Sequence, residues 1–409
     1  MKKLFVMFAL SFLGCSANAS ANSMWQLWQQ GNISAAKKSA QRFLQVDADQ
    51  ARHVLMLTAF ARGKFQEAID QQQLISNSYS RFQDTLMPVI DAYRHLGQYS
   101  EAYAFAVNHS VNEPVGLQDA LKQYSVSPPK FQLAKATEIP FKMNDPFNPY
   151  LPGFDLTLNG RTMIGHIDTG GTFVVISKEL ADQMGLKYTY FGNGHCNGKE
   201  ASVWFTQTTM QLGDLLVTGI PTEISDCLDG TAMKARAIFG TNILQRFLST
   251  IDYPKNRLVL SPFTQRSAHA RLVSTGYSSS TKQKFHIWGD HYMFAKGQMS
   301  GFKNRNFFVD TGLVTFHADG RQSAFLTSTK NLIDMGYDQQ TLANDNVVNI
   351  IGDVGFKRIV QSGHAVQHQG VISFSNFGGV EITGLIGHAF LNKYSWTIDF
   401  EKMSYTFRQ

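Results

Sequence analysis

A chain of 409 residues, 43% of them hydrophobic, carries enough apolar surface for roughly two or three globular domains. Its formal charge of +6 is thinly spread, and Lys2 and Lys3 supply part of it at the extreme N-terminus. That spread excludes the concentrated basic stripe of a nucleic-acid groove, and no later run is apolar enough to span a bilayer.

The first predicted element is a leader over residues 1–21. Met1-Lys2-Lys3 and the apolar run from Leu4 to Gly14 have the layout of an export signal and are too short to cross a membrane. Ala17-Asn18-Ala19 suits an ordinary signal peptidase. Phe12-Leu13-Gly14-Cys15 resembles a bacterial lipobox that would lipidate Cys15, although Leu is usual where Phe12 stands. Either reading sends the protein to a bacterial periplasm, soluble or held at the outer membrane by a lipid on Cys15, the one membrane contact expected. In that oxidising compartment Cys196 and Cys227 form an even pair, and a disulfide between them would contribute roughly 3–4 kcal/mol. Free thiols and a metal site using His195 are the alternatives; no second Cys-His cluster has ligand spacing.

Residues 22–111 come next and are predicted to be helical. Gly31-Asn32-Ile33-Ser34-Ala35-Ala36, Gly63-Lys64-Phe65-Gln66-Glu67-Ala68 and Gly97-Gln98-Tyr99-Ser100-Glu101-Ala102 recur with a period of about 33 residues. Each Gly frees a tight interhelical turn, the next apolar residue packs inward, and the small Ala lets paired helices approach. The pattern resembles tetratricopeptide repeats. It serves either as a scaffold for the rest of the chain or as a concave surface for a protein partner. Met24, Trp25 and Trp28 read as core and capping residues, and residues 112–136, with Ser127-Pro128-Pro129, as an irregular linker.

From Thr137 the texture turns to short β-rich runs, predicted as two lobes over 137–264 and 265–409. Each lobe repeats three landmarks in the same order. Asp168-Thr169-Gly170, Ala237-Ile238-Phe239-Gly240 and Thr250-Ile251-Asp252 mark the first. Asp310-Thr311-Gly312, Gly384-Leu385-Ile386-Gly387 and Thr397-Ile398-Asp399 mark the second. A single Asp-Thr-Gly is usually only a turn; three landmarks recurring in order are an internal duplication that supplies two carboxylates. His166, His195, His317 and His388 lack a partner pattern and read as structural.

Over residues 137–409 this arrangement resembles the pepsin and retropepsin-like aspartic peptidases, with both lobes in one chain. The expected fold is therefore an N-terminal all-α helical repeat followed by an all-β, double-lobed acid-protease fold. The resemblance implies that Asp168 and Asp310 are the catalytic pair and that the Phe239-Gly240 and Ile386-Gly387 strands thread the catalytic loops. It also implies that Thr169 and Thr311 bond across the lobe interface, and that Gly170 and Gly312 bring backbone N–H groups to the carboxylates. Two carboxylates ~3 Å apart cannot both ionise cheaply, so the pair holds one proton. One partner activates water and the other protonates the scissile carbonyl, with no cofactor or metal required. The resemblance further implies a β-hairpin flap, placed at Tyr188 to Trp204 with Tyr190, Phe191 and Gly192 as candidate substrate contacts, and a counterpart near Ile351 to Gly363.

Leu313 departs from the small residue usual after Asp-Thr-Gly and is positioned to crowd Asp310. This leaves three readings of function. One is an exported endopeptidase acting on peptides or proteins through both Asp residues, its repeats binding substrate or a protein partner. Another is an enzyme whose Asp168 lobes pair between chains. The last is a non-catalytic periplasmic adaptor with relic lobes.

Overall fold

Three glycines set the architecture of the N-terminal region. Gly31, Gly63 and Gly97 adopt φ of +66°, +68° and +74°, the left-handed region that glycine enters at little cost. Each ends one helix and releases the next. Residues 23–29 (α1) turn into α2 (Ile33–Phe43), α3 (Ala48–Ala61) into α4 (Phe65–Gln72), and α5 (Leu86–His95) into α6 (Tyr99–Asn108). Ala36, Ala68 and Ala102 in the second helices are fully buried, so each hairpin closes tightly, and successive helices stack in series. The computed structural model describes residues 23–148, 150–196, 199–316, 322–344, 347–349, 353–361, 365–369 and 376–409. The expected leader with Cys15, and His317, lie outside the described residues, as do the side chains of His195 and Cys196. Among the described residues no helix is long and apolar enough to cross a membrane.

The stretch 112–136 is not the irregular linker that its Pro and Ser content suggests. It carries α7 (Leu117–Val126) and strand β1 (Lys130–Gln132). Leu117, Ala120, Leu121 and Tyr124 recur at helical spacing and are buried, which secures α7 by packing. Ser127-Pro128-Pro129 then ends the helix and leads into β1 at the edge of the first lobe's sheet.

The first lobe adds β2 (Thr137–Pro140), β3 (Gly153–Leu158), β4 (Arg161–Ile167), β5 (Val174–Ser177), β6 (Thr189–Cys196), β7 (Lys199–Leu212), β8 (Leu215–Ser225), β9 (Ala237–Phe239), β10 (Leu248–Asp252) and β11 (Arg257–Ser261). Its main sheet runs β1-β8-β5-β9-β4-β3-β7-β6, and a further β7–β8 pairing curls it into a barrel-like lobe. The second lobe opens with β12 (Ser280–Lys284), β13 (His286–Trp288), β14 (Tyr292–Met299) and β15 (Phe302–Val309) and closes its own larger sheet around strand Gly384–Ile386.

A six-stranded sheet joins the lobes in the order β12, Ser404–Arg408, Ser395–Asp399, β10, β11, β2. Its central antiparallel pair sets Thr250 opposite Thr397, with the two buried hydroxyls 2.6 Å apart. Asp252 and Asp399 close the ends of these strands. Arg257 Nε donates to Asp252 at 3.1 Å, Arg266 Nη1 to Asp399 at 2.6 Å, and Asp399 also accepts the Lys402 N–H at 3.0 Å. The helical region is seated on the second lobe: the Trp28 Nε1–H donates to the Gly378 carbonyl at 2.7 Å, and Phe60 packs 5.6 Å from Trp288. The chain thus forms a helical N-terminal region followed by a β-rich region of barrel-like lobes.

Candidate active site

Each catalytic-type loop is held by the strand pattern around it. β4 runs parallel to β9, which is also antiparallel to β5, so the Asp168 loop emerges from a three-stranded core. The second lobe repeats this: β15 is parallel to strand Gly384–Ile386, which is antiparallel to strand Gln322–Ser328. The Asp168 N–H donates to the Phe239 carbonyl at 3.1 Å and the Asp310 N–H to the Ile386 carbonyl at 2.9 Å. These bonds turn each Asp out of its strand toward the lobe interface.

The two threonines lock the loops together. The Thr169 N–H donates to Thr311 Oγ1 at 2.9 Å, and the Thr311 N–H donates to Thr169 Oγ1 at 3.0 Å. Their hydroxyls donate onward to the Val309 and Ile167 carbonyls at 3.1 and 3.2 Å. Both threonines are buried, so every donor in this four-bond clamp is used without competition from water. Gly170 and Gly312 then approach the opposite carboxyl. A Cβ on Gly312 would lie 2.5 Å from Asp168 Cγ, and one on Gly170 would lie 2.6 Å from Asp310 Cγ. The Gly170 N–H donates to Asp168 Oδ1 at 2.7 Å, and the Gly312 N–H to Asp310 Oδ1 at 2.8 Å.

The carboxyls of Asp168 and Asp310 hydrogen-bond each other, at different proton affinities. Burial, then the charge and hydrogen bond of Asp168, drive Asp310 well above the ordinary carboxylate range. Burial also raises Asp168, opposed by hydrogen bonds from Asp310 and from the Gly170 and Gly312 amides. Both carboxyls are raised, so the pair holds one proton between them across the range where isolated carboxyls would be ionised. Leu313 does not crowd this arrangement. Its side chain and carbonyl pack against Gly387, where a Cβ would meet them at 2.5–3.0 Å, and its amide bonds to the Asp310 carboxyl.

A cleft of about 450 Å³ opens above Asp168, with Gly194, Ala201 and Val203 of the β6–β7 hairpin on one side and His291 and Tyr292 of the second lobe on another. Tyr190, Phe191 and Gly192 of that hairpin do not line it. Tyr190 is exposed and its hydroxyl donates to Asn193. Phe191 packs 4.4 Å from Phe205, its carbonyl accepts the Gly116 N–H at 3.1 Å, and Gly192 faces Pro114. A bulge between Tyr190 and Gly192 rotates these residues toward α7 and away from the carboxyls. For the second-lobe counterpart, the described part of 351–363 is a tight hairpin, Val354–Phe356 with Ile359–Gln361, whose Phe356 packs on Phe390 and Phe407. Cys227 is disulfide-bonded.

Three further groups were not singled out by sequence. Arg94 of α5 bridges Asp91 at 3.1 Å and Asp290 of the second lobe at 2.7 Å, beside a cavity of about 250 Å³ that shares Thr172, Phe173, His291 and Tyr292 with the cleft. Thr172 Oγ1 and His291 Nδ1 are hydrogen-bonded at 2.6 Å across the lobes. Glu223 lines the cleft itself, and burial pushes its carboxyl up to about 7. A lone acid inside the alternating run of β8 was the available signal for Glu223; nothing in the sequence links Arg94 to Asp290.

Residues 154–246 match the model of the family described as "gag-polyprotein putative aspartyl protease". No curated protein matches the chain. Among solved structures, a retropepsin-like aspartic protease from Rickettsia conorii is similar at 18% identity, over 33% of this chain and 93% of its own, with a TM-score of 0.24. The segment that carries Asp168 and its supporting strands is thus an aspartyl-protease-like lobe.

Proposed function

We propose that this protein is an exported aspartic endopeptidase in which Asp168 and Asp310 form a single-chain dyad. The observation that carries the reading is the reciprocal Thr169–Thr311 clamp, which holds two carboxyls of unequal proton affinity in hydrogen-bond contact beneath a cleft. In this reading Asp168, ionised, takes a proton from a water placed between the carboxyls. That water attacks the scissile carbonyl carbon. Asp310 donates its proton to the carbonyl oxygen, giving a neutral gem-diol; proton return to the departing nitrogen then completes hydrolysis. The protons balance and no acyl-enzyme forms.

The helical region resembles tetratricopeptide repeats and would hold substrate or a protein partner beside the cleft. Cys227 would be bridged to Cys196, and the leader would deliver the chain to the periplasm, with Cys15 as the candidate lipid attachment.

The test is incubation of the mature protein with a diverse peptide library between about pH 3 and 8, beside Asp168→Asn and Asp310→Asn. Cleavage that disappears in both variants is the expected result. Activity that survives Asp310→Asn removes the single-chain dyad, and no cleavage by folded protein at any pH removes the peptidase reading.

A further inference from the structure

The wall of the cleft facing the catalytic loops is largely apolar, and besides the uncharged Ser225 its one ionisable side chain is Glu223. In the register of neighbouring strands Val175 of β5 pairs with Glu223 of β8 and with Ile238 of β9, and all three side chains line the cleft with Asp168. Val203 of β7 lines the same wall, and Phe205 stands opposite Glu223 in the β7–β8 pairing. Glu223 has no hydrogen bond or ion pair among the described residues, and burial is the sole influence raising its carboxyl to about 7. The titratable groups that face it are Tyr124 of α7, which feels its charge, and Asp168 and His291 across the cleft. None of them supplies a cation: Tyr124 is raised far from neutrality by burial, and burial holds His291 neutral, at about 4.

A carboxylate on an apolar wall is costly to desolvate when a ligand covers it, unless the ligand brings the missing charge. A lysine or arginine side chain can do so, laying its methylene stem along Val175 and Ile238 while its head meets the carboxylate. We propose that Glu223 is the specificity-determining residue of a subsite that takes a basic side chain of an extended peptide. This rests on the peptidase reading and names the substrate feature that the cleft selects.

The test uses reduced-amide peptides, which cannot be cut, synthesised in pairs that differ only by lysine or norleucine at each position flanking the reduced bond. Affinity for the whole protein is read by fluorescence anisotropy at pH 8 and pH 5. At one position lysine is expected to bind on the order of tenfold tighter at pH 8, and less so at pH 5, where Glu223 holds its proton. Taking the lysine-to-norleucine ratio cancels any change in the aspartate pair between the two pH values. Glu223→Gln should bring the ratio near one, and Glu223→Lys should invert it in favour of a glutamate-bearing peptide, a reversal that loss of packing alone would not produce. No lysine preference at any position, a preference that survives Glu223→Gln, or no binding by any pair overturns the proposal. Cleavage of the corresponding ordinary peptides, and its loss in Asp168→Asn, tests the peptidase reading separately.

Discussion

Asp168 and Asp310 share a tripeptide but not an environment. Burial and the neighbouring charge fall more heavily on Asp310, so its proton is bound more tightly in the folded chain than in the unfolded one. Such a group costs stability as pH climbs from the ordinary carboxylate range through the raised value. Asp310→Asn is therefore expected to lower cleavage by at least ~10³-fold while raising Tm at about pH 7.5, with the difference vanishing near about pH 3; peptide assay and thermal melts across pH check both signs. At Gly312 a methyl group would displace the Asp168 carboxyl. Gly312→Ala should cost about 10²-fold in kcat with a near-native far-UV spectrum, and an unchanged kcat would refute the close packing. The doubled Asp-Thr-Gly was legible because the same three landmarks recur in order. Glu223 was not, because its importance depends on which strand neighbours share its face, and that register is fixed only by the closed sheet.

At the scale of elements, the β6–β7 hairpin was legible as a hairpin, through its glycines, but its direction was not. Residues 112–136 looked irregular, and α7 within that stretch is what Phe191 packs against. Without that helix in view, Tyr190 and Phe191 had no reason to turn from the carboxyls. The docking has a measurable signature. Phe191→Ala removes a ring shared between α7 and the hairpin, so amide exchange along Thr189–Gly194 should accelerate by ~10-fold or more, while exchange in β10 and β11 stays unchanged. Uniform acceleration across both regions would mean that the hairpin has no independent motion. The helical hairpins themselves were read correctly from the recurring Gly and Ala, since turn conformation and close helix approach are local demands.

At the scale of the molecule, the sequence divides into a helical front and a β-rich remainder, and the contacts join them. α3 is buried along nearly its whole length, because it lies between its own neighbours and the second lobe. His95 bonds Gln245 and the Gly289 carbonyl, and Arg246 donates to the His95 carbonyl, so α5 touches both lobes. Removing residues 23–111 would bare this seam. The whole chain is expected to unfold in one cooperative calorimetric transition, and the shortened protein to melt at lower temperature and to bind a hydrophobic dye; a monomeric, equally stable product would show the helices to be an accessory. None of these interfacial partners carries a sequence signal, because each pairs residues more than a hundred positions apart.

The joint six-stranded sheet also fixes when the two lobes can be tied into one unit. Strands Ser395–Asp399 and Ser404–Arg408 lie inside it, between β12 and β10, so this sheet cannot close before those residues have been made. A chain ending short of Ser395 holds both Asp-Thr-Gly loops but lacks the two strands that link β10 to β12. It is expected to be inert in the peptide assay, and restored cleavage on adding residues 395–409 as a separate peptide would show that only those strands were missing. In the proposed reading an unfinished chain would be a harmless one, and its substrate would be spared until residues 395–409 are in place.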